Sequence, residues 1–262
     1  MNKRQRLQEY TELAQRVYTL AKKIAREVSS IITAQQRDIR LKDNVLIGLY
    51  KKMFFTFECL IDEAKRARSE SMHHLKTLTE CYIYFRWVAQ RADNVNAWLT
   101  QAKCYREKAN FFQANPDYPS QQLFLNSWED SYNIFLKCAK SEWKEANSCI
   151  CDIEKEWKEY LKITKKVKGV ATEGNSSDIY NTIYKAACEP SHLTDLDSHM
   201  SAPSKPISLK RHEGSVLVAS LSLHYSVLIM SQLMSDICVY HGLRHDESLK
   251  IINIKLCKLK GS

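Results

Sequence analysis

Residues 8–33, QEYTELAQRVYTLAKKIAREVSSIIT, place apolar side chains at Tyr10, Leu13, Val17, Leu20, Ile24, Val28 and Ile31. Steps of three and four keep these positions on one side of a helix, so the stretch predicts a long amphipathic helix that must bury one stripe. The same spacing recurs further on. Leu46, Leu49, Met53, Phe57, Leu60, Ile61 and Ala64 follow Asp43 and lead to Lys65 and Arg66. Met72, Leu75, Leu78, Tyr82 and Phe85 mark a third helix over 69–91, and Asp93 opens a fourth through Val95, Trp98, Ala102 and Tyr105. Acidic residues at the starts and cations at the ends suit the partial charges of helix termini.

Beyond the break NPDYPS at 115–120, Leu136, Ala139, Trp143, Ala146, Ile150, Ile153, Trp157, Tyr160, Thr164 and Val167 continue the pattern among Glu and Lys. They predict a long helical arm over 123–168 of coiled-coil character. GVATEGNSS, 169–177, reads as a flexible joint, and 189–214, with Pro190, Pro203 and Pro206, as a long loop. Helices resume over 215–241 and 246–259. With only 6 Gly and 5 Pro in 262 residues, the composition excludes an all-β sandwich, and 44% hydrophobic residues exclude a disordered chain. The expected fold class is all-α: a multi-helix bundle with one long coiled-coil-like arm, in a single helical domain over 1–262.

The opening MNKRQRLQEY has no apolar core of the kind a secretory signal needs, so the expected location is the cytoplasm. Nine cysteines, an odd number scattered from Cys59 to Cys257, read as reduced side chains rather than a disulfide framework. Cys149 and Cys151 lack a second pair to complete a zinc set. His192, Asp195, Asp197 and His199 offer ligand types but follow no metal spacing, so neither metal nor cofactor is expected. The apolar run Val216–Tyr240 has the length of a membrane span, but Ser220, Ser222, His224, Ser226, Ser231 and Asp236 interrupt it. It is read as a core helix, and no membrane partner is expected.

A formal net charge of +9 attracts polyanions, and cations gather at Lys22–Lys23, Lys65–Arg66–Arg68, Lys162–Lys168 and Lys205–Arg211. Nucleic acid, RNA first, is the partner this charge suggests, although no zinc-finger or RNA-recognition signature accompanies it.

Two clusters carry candidate chemistry. In SDIYNTIYKAACEPSH, 177–192, Tyr180, Tyr184, Cys188 and His192 follow at steps of four, so phenols and an imidazole can converge on one helix face. In HHLKTLTECYIYFR, 73–86, Glu80 lies in apolar company four residues after Lys76, and burial there demands pairing or a raised pKa. A structural reading of both is a buried polar network that fixes packing. Together they resemble an uncharacterised all-helical bacterial family of unknown function, in which an Arg-x-x-x-Glu helix precedes a Tyr-x-x-x-Tyr helix ending in His. Glu80, Tyr180, Tyr184 and His192 match; Lys76 stands where the family has Arg and loses its two-pronged fork. The resemblance implies a helical protein of phage-defence or toxin-like systems and no established activity. RSESMHH, 68–74, is similar to the Arg-x(4–6)-His element of the HEPN ribonucleases, with Ser69 in place of the usual polar Asn, Asp or His. That likeness implies metal-independent RNA cleavage, Arg68 stabilising the phosphorane and His73 moving the proton. The expected function is therefore a cytosolic effector or accessory protein acting on nucleic acid, with RNA cleavage as its specific form. The alternative is a non-catalytic module that docks a protein partner or a second copy through its helices.

Overall fold

A computed structural model of the protein describes residues 2–34, 40–115, 124–188 and 213–261. Every regular element among them is helical, giving an all-α multi-helix bundle. The helices are α1 (Lys3–Ala34), α2 (Leu41–Lys65), α3 (Ser71–Gln90), α4 (Val95–Ala114), α5 (Leu125–Ala146), α6 (Ile153–Thr164) and α7 (Val167–Glu173). After them come α8 (Ser177–Ile179), a π-helical turn (Tyr180–Tyr184), α9 (Lys185–Cys188), α10 (Glu213–His241) and α11 (Asp246–Gly261). The expected loop at 189–214 falls almost wholly outside the described residues, as does most of the break at 115–120.

The chain, read from its sequence as one domain, divides into two units with dense internal contacts: residues 1–38, 50–82 and 178–262, and residues 39–49 and 83–177. In the first, α1 packs along α10 and both meet α11. The buried stripe of α1 is Leu7, Tyr10, Leu13, Ala14, Val17, Ala21 and Ile24. Leu20 and Val28 are half-buried, because Ala14 and Ala21 take the centre of the contact. α10 faces inward with Ala219, Leu223, Val227, Met230, Leu233, Met234 and Ile237. It is the one described helix long and apolar enough to cross a membrane, and 56% of that window is buried within the protein.

Four of its serines are buried; three of them are tolerated because their hydroxyls bond to the helix's own carbonyls, while Ser231 Oγ is buried without a hydrogen bond. Ser220 Oγ donates to Val216 O (2.8 Å), Ser222 Oγ to Ala219 O (2.9 Å) and Ser226 Oγ to Leu223 O (3.0 Å). An unmatched buried hydroxyl would cost about 1–3 kcal/mol, so this back-bonding lets a serine-rich helix occupy a core. Phenols tie the remaining helices down: Tyr50 donates to Ala21 O (2.6 Å) and Tyr82 to Asp236 Oδ2 (2.9 Å).

In the second unit α4 and α5 form an antiparallel hairpin, with α6 and α7 stacked after it. The expected single arm over 123–168 is instead two helices, α5 and α6, separated by Asn147–Asp152. Asn147 Nδ2 turns back to Trp143 O (2.8 Å), and the Asp152 carboxylate caps α6 by accepting from Lys155 N (3.1 Å). In a straight helix Trp143 and Tyr160 would stand about 25 Å apart. Here their rings stack at 4.2 Å. The three-four stripe is therefore the shared face of two helices folded on each other, held also by Lys140 and Lys144 against Glu154. The expected flexible joint is ordered as α7, and Gly169 is what permits it: a Cβ there would lie 1.8 Å from Ile163 O.

Candidate functional site

A cleft of about 650 Å³ opens in the first unit where the start of α1 meets the α2–α3 turn. Lys3, Arg4, Lys65 and Arg66 line it with the carboxylate of Glu12, over a floor that includes Leu7 and Val216, and Lys65 Nζ also pairs with Asp62 at 3.4 Å. α2 ends here for a backbone reason. Ala67 adopts φ +52°, and Arg68 N and Ala67 N donate back to Glu63 O (3.1 Å) and Ala64 O (2.8 Å), closing the helix and directing its basic end to the cleft. On the other wall, Asn2 Oδ1 accepts from Gln5 N (2.8 Å) and caps α1. The first turn of α1 holds no acidic residue. Cations there oppose the helix dipole and weaken the helix slightly. Lys3 and Arg4 thus work against their own element, a signal readable in MNKR.

Arg68 and His73, the HEPN-like pair, flank the same turn. The Arg68 guanidinium is engaged: Nη1 donates to both Glu63 oxygens, at 3.1 and 2.9 Å. His73 is exposed at the start of α3. Its neighbour His74 is half-buried, and burial pushes its pKa down against the opposing pull of Glu63. An arginine already neutralised by a carboxylate has to exchange that partner before it can stabilise a phosphorane.

Glu80, Tyr180, Tyr184 and Cys188 are brought together in the first unit, each half-buried. The two tyrosine rings stack at 5.2 Å with 21° between planes, and the Lys185 ammonium sits 5.7 Å from the Tyr180 ring. Burial pushes the Tyr184 pKa up, and the nearby Glu80 carboxylate and Cys188 push it further. The phenol therefore keeps its proton at neutral pH. A four-residue step in an α-helix drifts by about 40°. The wider π-helical turn Tyr180–Tyr184 offsets that drift and keeps Cys188 in line with the pair. His192 lies outside the described residues, as do Asp195, Asp197 and His199. Among the described residues no group of three potential ligands is placed to hold a metal ion.

The second unit contains a polar network the sequence reading passed over. Lys42, 7% exposed, donates through Nζ to Ala89 O (3.0 Å) and to Arg91 O, and burial lowers its pKa. Glu142 accepts from Asn94 N (2.7 Å) and Trp98 Nε1 (2.9 Å). Tyr160 donates to Asn96 Oδ1 (2.6 Å), and burial raises its pKa to about 12. Burial pulls the Asp93 pKa up, but the Arg91 guanidinium, at 2.6 and 2.8 Å, outweighs it and holds the carboxyl below the usual range. Its partners satisfy one another, so this network positions the start of α4.

A family model described as a family of unknown function (DUF5677) matches residues 43–206. The matched span includes Lys65, Arg66, Glu80, Tyr180, Tyr184 and His192, and excludes Lys3 and Arg4. No curated protein and no solved structure matches the chain.

Proposed function

The chain belongs to the DUF5677 family of unknown function, and from that premise we propose that it is a helical effector or accessory protein that binds nucleic acid. The observation that supports this reading is the cleft, lined by Lys3, Arg4, Lys65 and Arg66 beside Glu12, in a molecule of net charge +9. Such a concentration of charge raises the encounter rate with polyanions and releases their condensed counterions on binding. Membership of a bacterial phage-defence or toxin-like system is the setting in which such a protein acts.

RNA cleavage is the finer form of the reading. It requires Arg68 to leave Glu63, or the Tyr184 phenol to donate to a leaving oxygen. Binding needs neither event, and the geometry supports it better.

Fluorescence anisotropy with a labelled 20-nucleotide RNA, measured over a salt series, tests the proposal. Affinity should fall linearly on a log–log scale by about 0.7 per phosphate neutralised, and Lys65→Glu/Arg66→Glu should flatten the slope by about 1–2. A salt-independent affinity, or none, sinks the reading and favours a protein-docking module. Running the same mixtures on a gel with EDTA reports cleavage, with Arg68→Ala/His73→Ala and Glu80→Ala as the informative variants.

A further inference from the structure

α6 in the second unit gathers its lysines on the side its packing does not use. Its buried side chains, Trp157, Tyr160 and Thr164, lie on one face. At about 100° per residue, Lys155, Lys158, Lys162 and Lys165 fall within about 80° of one another on the opposite face. Lys165, the C-cap, keeps helical φ −62° and ψ −30°, so it continues the row. All four are exposed, as are Lys166 and Lys168 at the corner into α7. Residues 155–168 set these six lysines against two exposed glutamates, Glu156 and Glu159. Among the described residues only Lys162 of the six forms an ion pair, with Glu159 at 3.7 Å. The carboxylate best placed by sequence to neutralise Lys158 is Glu154, four residues before it. Glu154 is committed elsewhere, to Lys140 at 2.8 Å and to Lys144, both on α5.

We infer that this lysine row is a phosphate-tracking surface, by which the second unit makes its own contact with the backbone of a nucleic acid; the inference rests on the function proposed above. Lys155 to Lys165 spans about 15 Å of helix. One nucleic-acid strand carries a phosphate about every 3.4 Å of axis, so the row lies along about four of them. Lysine brings a point charge on a flexible stem and no base-reading fork, so the row holds a strand without choosing its sequence. A membrane surface fits less well, because a helix enters a bilayer with its apolar face. That face of α6 is occupied, with Trp157 and Tyr160 packed against Trp143 of α5. A protein partner fits less well too, since lysine is depleted from protein interfaces.

The test is anisotropy of the full chain with a single-stranded RNA 20-mer over a salt series. Wild type is compared with Lys158→Gln/Lys162→Gln/Lys165→Gln and with Lys158→Arg/Lys162→Arg/Lys165→Arg. Lys51→Gln/Lys52→Gln/Lys250→Gln, in the first unit, removes the same charge as a control. All six lysines are exposed and glutamine suits a helix, so melting temperatures should barely move. The glutamine triple on α6 should weaken binding about tenfold or more and flatten the log–log slope by about 2. The arginine triple should bind as wild type does, and the control should lose no more than about twofold. Equal losses in the α6 and control triples, or wild-type affinity in the α6 triple, overturn the row and leave the proposed function to the cleft. Capture of phosphatidylserine vesicles by wild type, lost in the α6 glutamine triple while its RNA affinity is intact, overturns the row in favour of a membrane. Absence of RNA binding by wild type overturns the row and the proposed function together.

Discussion

Ala67 holds φ at +52°, a region where a Cβ crowds the backbone and where glycine is the usual occupant. Two other helix ends close in the same way, with Asn175 at φ +51° after α7 and Gly242 at +68° after α10. Each shows the six-residue return bond: Arg68 N to Glu63 O (3.1 Å), Ser176 N to Ala171 O (2.7 Å) and Leu243 N to Cys238 O (2.8 Å). Three residue types thus meet one conformational demand, and alanine meets it least well. Ala67→Gly should stabilise the protein by about 1 kcal/mol in urea unfolding, the relieved strain outweighing the added entropy of the unfolded chain. Asn175→Gly should give less, since asparagine tolerates the left-handed region. The pair Gly174-Asn175 would mislead a reader of the sequence, who would place the turn's glycine in the strained position. Gly174 is reserved for another purpose: a Cβ there would approach Trp87 Cα and Val170 O to 3.1 Å.

At the scale of elements, glycine separates two outcomes that composition cannot. Gly48 lies mid-helix in α2 with nothing within 4 Å of a built Cβ, whereas at Gly169 that atom would strike Ile163 O. Gly48→Ala should raise stability by about 1 kcal/mol through helix propensity. Gly169→Ala should lower it by about 2–4 kcal/mol, because a carbonyl in a helix end has nowhere to move. Thermal melts of the two variants read the signs directly. Helix existence was legible throughout, since the three-four stripe is the burial requirement itself. Where a stripe turns a corner was not: Leu136 to Val167 keeps one periodicity through α5 and α6 because both faces join the same aromatic contact, Trp143 against Trp157 and Tyr160. Asn147 and Asp152 were the visible breakers, and the pattern around them masked their effect.

For the whole molecule, nine cysteines and no disulfide define a checkable state. Cys59, Cys104, Cys149, Cys151 and Cys257 are exposed, while Cys81 and Cys238 are buried. Burial, aided by Asp246 and Glu27, raises the Cys238 pKa to about 11. Titration with an aromatic disulfide reagent at neutral pH should therefore modify the five exposed thiols quickly, with Cys81 and Cys238 reacting only in guanidinium, and a reducing agent should leave the melting temperature unchanged. Prompt reaction of Cys238 in the native protein would contradict the burial described. The candidate sites were legible only in part. Glu80, Tyr180 and Tyr184 declared themselves by residue type and spacing. The basic cleft joins residues 3–4 to residues 65–66, and only folding brings such distant positions to one wall. The π-helical turn at Tyr180–Tyr184 makes the second cluster a matter of counting as much as of chemistry. Give those five residues plain α geometry without removing one and everything after them rotates by roughly 90°. Cys188 would then leave the tyrosine side with its identity unchanged, so the backbone geometry of this segment sets the cluster as much as its letters do.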